Sequence, residues 1–117
     1  MVFNVVAHNR DDHVKNFAFL MDARGEWTMS PAYDLAHAPG PGGEHTMTVD
    51  GEGREPTLAG IIDLATRHGL ERAEILEIVG RVDDAVAAWP EIAKDCRCAP
   101  AQARQVARDH RFLGGPA

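Results

Sequence analysis

A chain of 117 residues, 44% hydrophobic and 26% charged, suits one folded domain with a modest core rather than a disordered segment. The formal net charge of −6 argues against non-specific nucleic-acid binding through the bulk surface, and leaves room only for a local basic patch. No apolar run approaches the ~20 residues that span a bilayer, and no basic region precedes Met1-Val2-Phe3 as it would in a signal peptide.

The first segment, Met1 to Ala7 (MVFNVVA), is short and mostly apolar, so periodicity does not separate a buried strand from the last turns of a helix. The loop Ala7 to Asn16 carries His8, Asn9, Arg10, Asp11, Asp12, His13 and Lys15. Phe17 to Met21 (FAFLM) is an apolar run of strand length. Asp22-Ala23-Arg24-Gly25 is turn chemistry, and Glu26-Trp27-Thr28-Met29 alternates as a half-buried strand does. Ser30-Pro31 ends it. The tight hairpin brings the chain back near its start, so Asp34 is expected beside Asp11 and Asn16.

Ala36 to Arg54 is rich in loops, with Pro39 and Pro41 among Gly40, Gly42 and Gly43. Phosphate-cradling glycine segments sit between a strand and a helix. This one does not, and reads as a flexible connection with a short strand over Thr46 to Val49. Helices follow. Thr57 caps Leu58 to His68, and Gly69 ends that helix. Ile75, Ile78, Val79, Val82, Val86 and Trp89 form one apolar stripe on a helix from Arg72 to Lys94, which Pro90 kinks or restarts. A last helix runs from Pro100 to Phe112, and Leu113 to Ala117 forms a frayed tail. Cys96 and Cys98 flank Arg97, too close to bridge readily. They read as free thiols, which fits a reducing cytoplasm.

An Asp, an Asn five residues on, and a second Asp beyond a hairpin form the arrangement of a protein-kinase C-lobe. Oxygen ligands on two segments suit Mg²⁺, which keeps waters and completes its shell from phosphate. The plain alternative makes Asp11 and Asp12 solvated loop acids and Asp34 a turn residue. A further option is a hydrolytic metal site of His8, Asp11 and His13, which lacks a further ligand.

N-R-D-D-H-V-K-N-F followed by S-P-A-Y-D-L resembles the C-terminal domain of HipA-like serine/threonine kinases, the toxins of bacterial toxin–antitoxin pairs. W-P-E-I-A and the closing helix extend the likeness over nearly the whole chain. The resemblance implies a mainly α (α+β) fold, a kinase-like C-lobe with one small β-hairpin next to the catalytic loop. It implies Asp11 as the catalytic acid facing a substrate hydroxyl, with Asp12 as its nearest rival, and Asn16 and Asp34 as Mg²⁺ ligands. His13 and Lys15 are candidate phosphate contacts. Their plainer roles are a structural hydrogen bond for His13 and solvent exposure for Lys15. ATP and Mg²⁺ are the implied cofactors and a protein Ser/Thr the implied substrate. A HipB-like DNA-binding antitoxin is an implied partner, with DNA reached only through it. These 117 residues hold no glycine-rich nucleotide loop with a strand Lys, so the chain is expected to be a partial kinase, inactive alone. Its uncovered apolar surface is expected to be exposed or buried in a homodimer. A non-catalytic interaction domain of the same fold is the competing reading.

Overall fold

A computed structural model describes residues 1–115. Five helices and one hairpin follow in the order α1 (Val2–Val6), β1 (Phe19–Met21), β2 (Trp27–Met29), α2 (Leu58–Arg67), α3 (Arg72–Ala87), α4 (Trp89–Asp95) and α5 (Pro100–Asp109). The mainly α character with one small antiparallel sheet agrees with the sequence expectation. Single 3₁₀ turns stand at Val14–Asn16 and Pro41–Gly43.

The core gathers Val5 from α1, Val49 from the long loop, Ile61 and Ile62 from α2, and Ile75 from α3. Their burial is the main driving force for bringing these segments together. Thr57 caps α2 as expected, its hydroxyl accepting from the Gly60 amide at 3.2 Å. The long apolar stripe is divided: α3 ends at Ala87 and α4 restarts at Trp89, with Pro90 in the first turn, where its missing N–H costs nothing.

The hairpin pairs Phe19 with Met29 and Met21 with Trp27. Its turn is held by the Asp22 carboxylate, which accepts from the amides of Arg24 and Glu26. Those amides, Glu26 first, hold the Asp22 carboxyl below its usual range. Gly25 takes φ 82°, the left-handed conformation this turn needs.

Five expectations are corrected. Glu26 to Met29 is not half-buried: every strand residue of the hairpin is exposed, because no second layer lies against it. Thr46 to Val49 forms no strand. The Met47 amide donates to the Asp12 carboxylate, the Thr46 amide is shared between that carboxylate and the Arg10 carbonyl, and Val49 makes only an isolated bridge with Glu52. Residues 36–54 are not a loose connection, since the Arg10 guanidinium donates to the carbonyls of Gly43 and Arg54 across them. Finally, α5 stops at Asp109, where the chain turns extended at His110 and the Arg111 amide donates to the Val6 carbonyl at 2.9 Å. Leu113 packs against the core, and its amide and that of Gly114 donate to Asp83, so this stretch is not frayed. Pro116 and Ala117 of the expected tail lie outside the described residues.

Candidate active site

In the loop after α1, His8 turns the chain through φ 57°. Beyond it Asn9 and Asp12 are buried, Arg10 is partly buried and Asp11 is exposed. Asp12 is 5% exposed, and His45 Nδ1 lies 2.9 Å from its Oδ2. Asp12 Oδ1 takes the amides of Thr46 and Met47 at 2.9 and 3.2 Å. Both oxygens are therefore engaged inside the protein. The Asp11 side chain is 61% exposed, and its nearest charged neighbour is His13, with Nε2 3.9 Å from Oδ1. Of the two neighbouring acids, only Asp11 offers a carboxylate to a molecule arriving from solvent.

Gly40 is required by the same packing. A Cβ there would lie 2.6 Å from the Arg10 Cβ and closer still to the Glu44 carbonyl. The loop wraps tightly around Arg10 only because position 40 has no side chain.

The 3₁₀ turn Val14–Asn16 presents Asn16, whose Nδ2 donates to the Asp11 carbonyl at 3.1 Å. That bond occupies the amide nitrogen and leaves the amide oxygen available. Across from it, the Tyr33 hydroxyl donates to the Lys15 carbonyl at 2.7 Å. Tyr33 and Lys15 are the chain neighbours of Asp34 and Asn16, so this bond ties the two segments together. Asn16 and Asp34 line one cleft of about 220 Å³, together with Asn4, Asn9 and Tyr33. Asp11 is not among the lining residues. Asn16 touches it only through its backbone. Asp34 itself sits at φ 53°, a left-handed conformation that few residues other than glycine adopt.

Asn4 and Asn9 form the floor of the cleft. Asn9 Nδ2 donates to Asn4 Oδ1 at 3.2 Å and the Asn9 amide to the Asn4 carbonyl at 2.9 Å, both residues being buried. This pair pins the loop that follows to α1. Neither Asn4, the Tyr33 strut, nor His45 was assigned a role from the sequence. Asn4 leaves a signal there, as the one polar residue inside MVFNVVA. His45 leaves none, because it meets Asp12 across 33 positions of loop.

The remaining candidates are less engaged. Lys15 is exposed. His13 is partly buried, with its Nδ1 enclosed and lacking a hydrogen-bond partner. Among the described residues, no group of three or more His, Cys, Asp or Glu is placed to hold a metal ion, so His8, Asp11 and His13 do not gather as a hydrolytic centre. The cleft instead has Asp34 and Asn16 in its lining, a carboxylate and an amide. Two hard oxygen donors leave most of an octahedral shell to water and phosphate, which fits Mg²⁺ better than a transition metal.

No curated protein and no solved structure matches the chain. Among the described residues, no helix is long and apolar enough to cross a membrane. A family model does match: the HipA-like C-terminal domain, over residues 1–89. That span contains α1, the hairpin, the whole cleft and the helices α2 and α3, and on this match the chain belongs to the HipA-like C-terminal domain family.

Proposed function

We propose that this domain is the catalytic-lobe portion of a HipA-like serine/threonine protein kinase, with Asp11 as the catalytic carboxylate and Asn16 and Asp34 as ligands for Mg²⁺. One observation carries the reading. Asn16 and Asp34, 18 positions apart, line a single cleft, and the Asn16 side chain is bonded to the backbone of Asp11.

In this reading the outward Asp11 accepts the proton of a protein Ser or Thr hydroxyl as that oxygen attacks. Proton transfer of this kind contributes typically about 10²–10⁴-fold. His13, 3.9 Å from Asp11, orients its carboxylate or meets a phosphate oxygen, and exposed Lys15 supplies a mobile cation to the same phosphates. Mg²⁺ when bound would neutralise charge on the nucleotide phosphates. The Tyr33–Lys15 bond keeps its two ligands in register. ATP would be held by a nucleotide-binding module outside these residues. A DNA-binding antitoxin as partner and a cytoplasmic setting belong to the same proposal. They rest on family membership and not on the cleft.

The test is divalent-ion binding followed by transfer. Mn²⁺, read by electron paramagnetic resonance, is expected to bind the chain weakly, and Asn16→Ala and Asp34→Ala are each expected to abolish binding. Combined with a related nucleotide-binding half, the chain is expected to transfer the γ-phosphate of ATP. Asp11→Ala should cut that rate by about 10²-fold or more. Equal activity in Asp11→Ala and wild type would defeat the assignment.

A second reading, a domain that binds protein without catalysis, is favoured by the hairpin alone. Phe19, Leu20, Met21, Trp27 and Met29 are all exposed, an apolar ribbon of the kind that marks interfaces.

A further inference from the structure

The chain leaving Asp34 meets the last helix at a cluster of histidines. His37 Nε2 lies 2.9 Å from Asp109 Oδ2. Asp109 also accepts from Gln105 Nε2 at 3.1 and 3.2 Å. The His8 ring stacks on His37, with centroids 5.6 Å apart and planes 22° from parallel. His110 lines the same apolar groove as His37 and meets Trp89 edge-on at 6.1 Å. Backbone bonds cross at this point too: the Ala38 amide donates to the His8 carbonyl at 3.0 Å and the Arg10 amide to the Ala38 carbonyl at 3.1 Å. His8 therefore fastens the loop of Asp11 to the segment after Asp34, and Asp109 fastens that segment to α5.

His8 is the weak member of the joint. It holds φ 57°, a left-handed conformation unfavourable for a residue with a Cβ. Its Nδ1 is buried with no hydrogen-bond partner. Protonating the ring puts an N–H and a positive charge where no acceptor waits. That charge would face His37 from the segment after Asp34, Arg10 from its own loop and His45 from the long loop. Asp109 on α5 is the carboxylate opposing them.

We propose that the His8–His37–Asp109 junction is a proton-operated latch: closed while His8 is neutral, and opened when His8 is protonated, which releases residues 35–38 from α5 and from the catalytic loop. The latch stands on its own geometry, whether or not Asp34 binds a metal.

The direction of titration agrees. Burial, then Arg10, pushes His8 below its ordinary 6.5, with Asp109 pulling the other way. Burial, then His37, does the same to His110. The Gln105 amide, then His37, keeps the Asp109 carboxyl below 3.8, so it remains ionised while the histidines titrate. The closed form prefers neutral His8, so closure weakens as pH falls below 6.5.

Amide hydrogen exchange by NMR on the whole chain tests this at neutral pH and about one unit below the ordinary histidine value. The reporters are the Ala38 and Arg10 amides, with Ile62 and Val79 in the helical core as controls. Protection at Ala38 and Arg10, corrected for intrinsic exchange, is expected to fall by up to about tenfold at the lower pH, the limit set by working one pH unit below the ordinary histidine value. Ile62 and Val79 report global unfolding and should stay more protected than Ala38 and Arg10 at both pH values. In His8→Asn, which accepts the left-handed backbone and does not titrate, protection at Ala38 and Arg10 should be the same at both pH values. His8→Gln provides a second non-titrating variant. Unchanged protection at Ala38 and Arg10 in wild type, protection there no weaker than at Ile62 and Val79, or an undiminished pH effect in both variants would each overturn the latch.

Discussion

Asp11 and Asp12 are adjacent and chemically alike, yet the fold gives them opposite duties. Removing the outward one, Asp11→Ala, deletes a solvated carboxylate and is expected to change stability by less than about 0.5 kcal/mol. Asp12→Ala strips buried His45 of its partner and takes away the acceptor of the Met47 amide, while the Thr46 amide keeps only the Arg10 carbonyl. It is expected to cost about 3 kcal/mol, read as a fall in melting temperature of roughly 10 °C or more. Asp34 offers a sharper pair. At φ 53° any side chain without a local hydrogen bond is strained. Asp34→Ala is expected to lower stability by about 1 kcal/mol, whereas Asp34→Gly relieves the strain and should leave stability unchanged or slightly raised. Both variants lack the carboxylate, so calorimetry set beside Mn²⁺ binding separates the strain at this residue from its use as a ligand.

Among the elements, those governed by local rules were legible in advance. The cap at Thr57, the turn at Asp22 to Gly25 and the restart at Pro90 follow from the chemistry of one or two residues, and the structure has all three. Long-range satisfaction was not legible. Thr46 to Val49 has the composition of a strand, but a carboxylate 34 positions away captures the Thr46 amide. The end of α5 is likewise set by the Val6 carbonyl, which takes the Arg111 amide. At the site, the motif spacing placed Asp34 beside Asp11 and Asn16. Asn16 and Asp34 do line one cleft, Asp11 does not, and nothing in the spacing hinted at the Tyr33 strut or the Asn4–Asn9 floor, which depend on folded geometry. The junction of α5 with the loop predicts acid sensitivity. The folded pKa values of His8 and His110 lie below 6.5, so the unfolded chain binds more protons as pH drops through that value, and stability falls. Asp109, held below 3.8, adds stability that persists until still lower pH, so its contribution is lost in the same direction. Urea midpoints are expected to decline as pH falls below 6.5, and His8→Asn should flatten part of that decline.

For the molecule as a whole, the hairpin is the least covered part. Trp27 is 65% exposed and Phe19 63%, on a ribbon with no layer behind it. Self-association that rises with concentration is expected in light scattering, and Phe19→Ser with Trp27→Ser should suppress it without lowering the melting temperature. A monodisperse monomer at high concentration would remove this expectation. α1 and the core are closed by residues beyond the matched span. Arg111 bonds back to α1, and Leu113 joins the core while its amide donates to Asp83 on α3. Segments far apart along the chain are thus stitched to one another, and this bears on biosynthesis. The helix that supports the Asn4–Asn9 floor is translated ahead of residues 111–113, which supply its last restraints. Contacts so distant along the chain are slow to close. A nascent chain arrested after residue 99 is expected to be digested by protease at α1, and the released chain to resist.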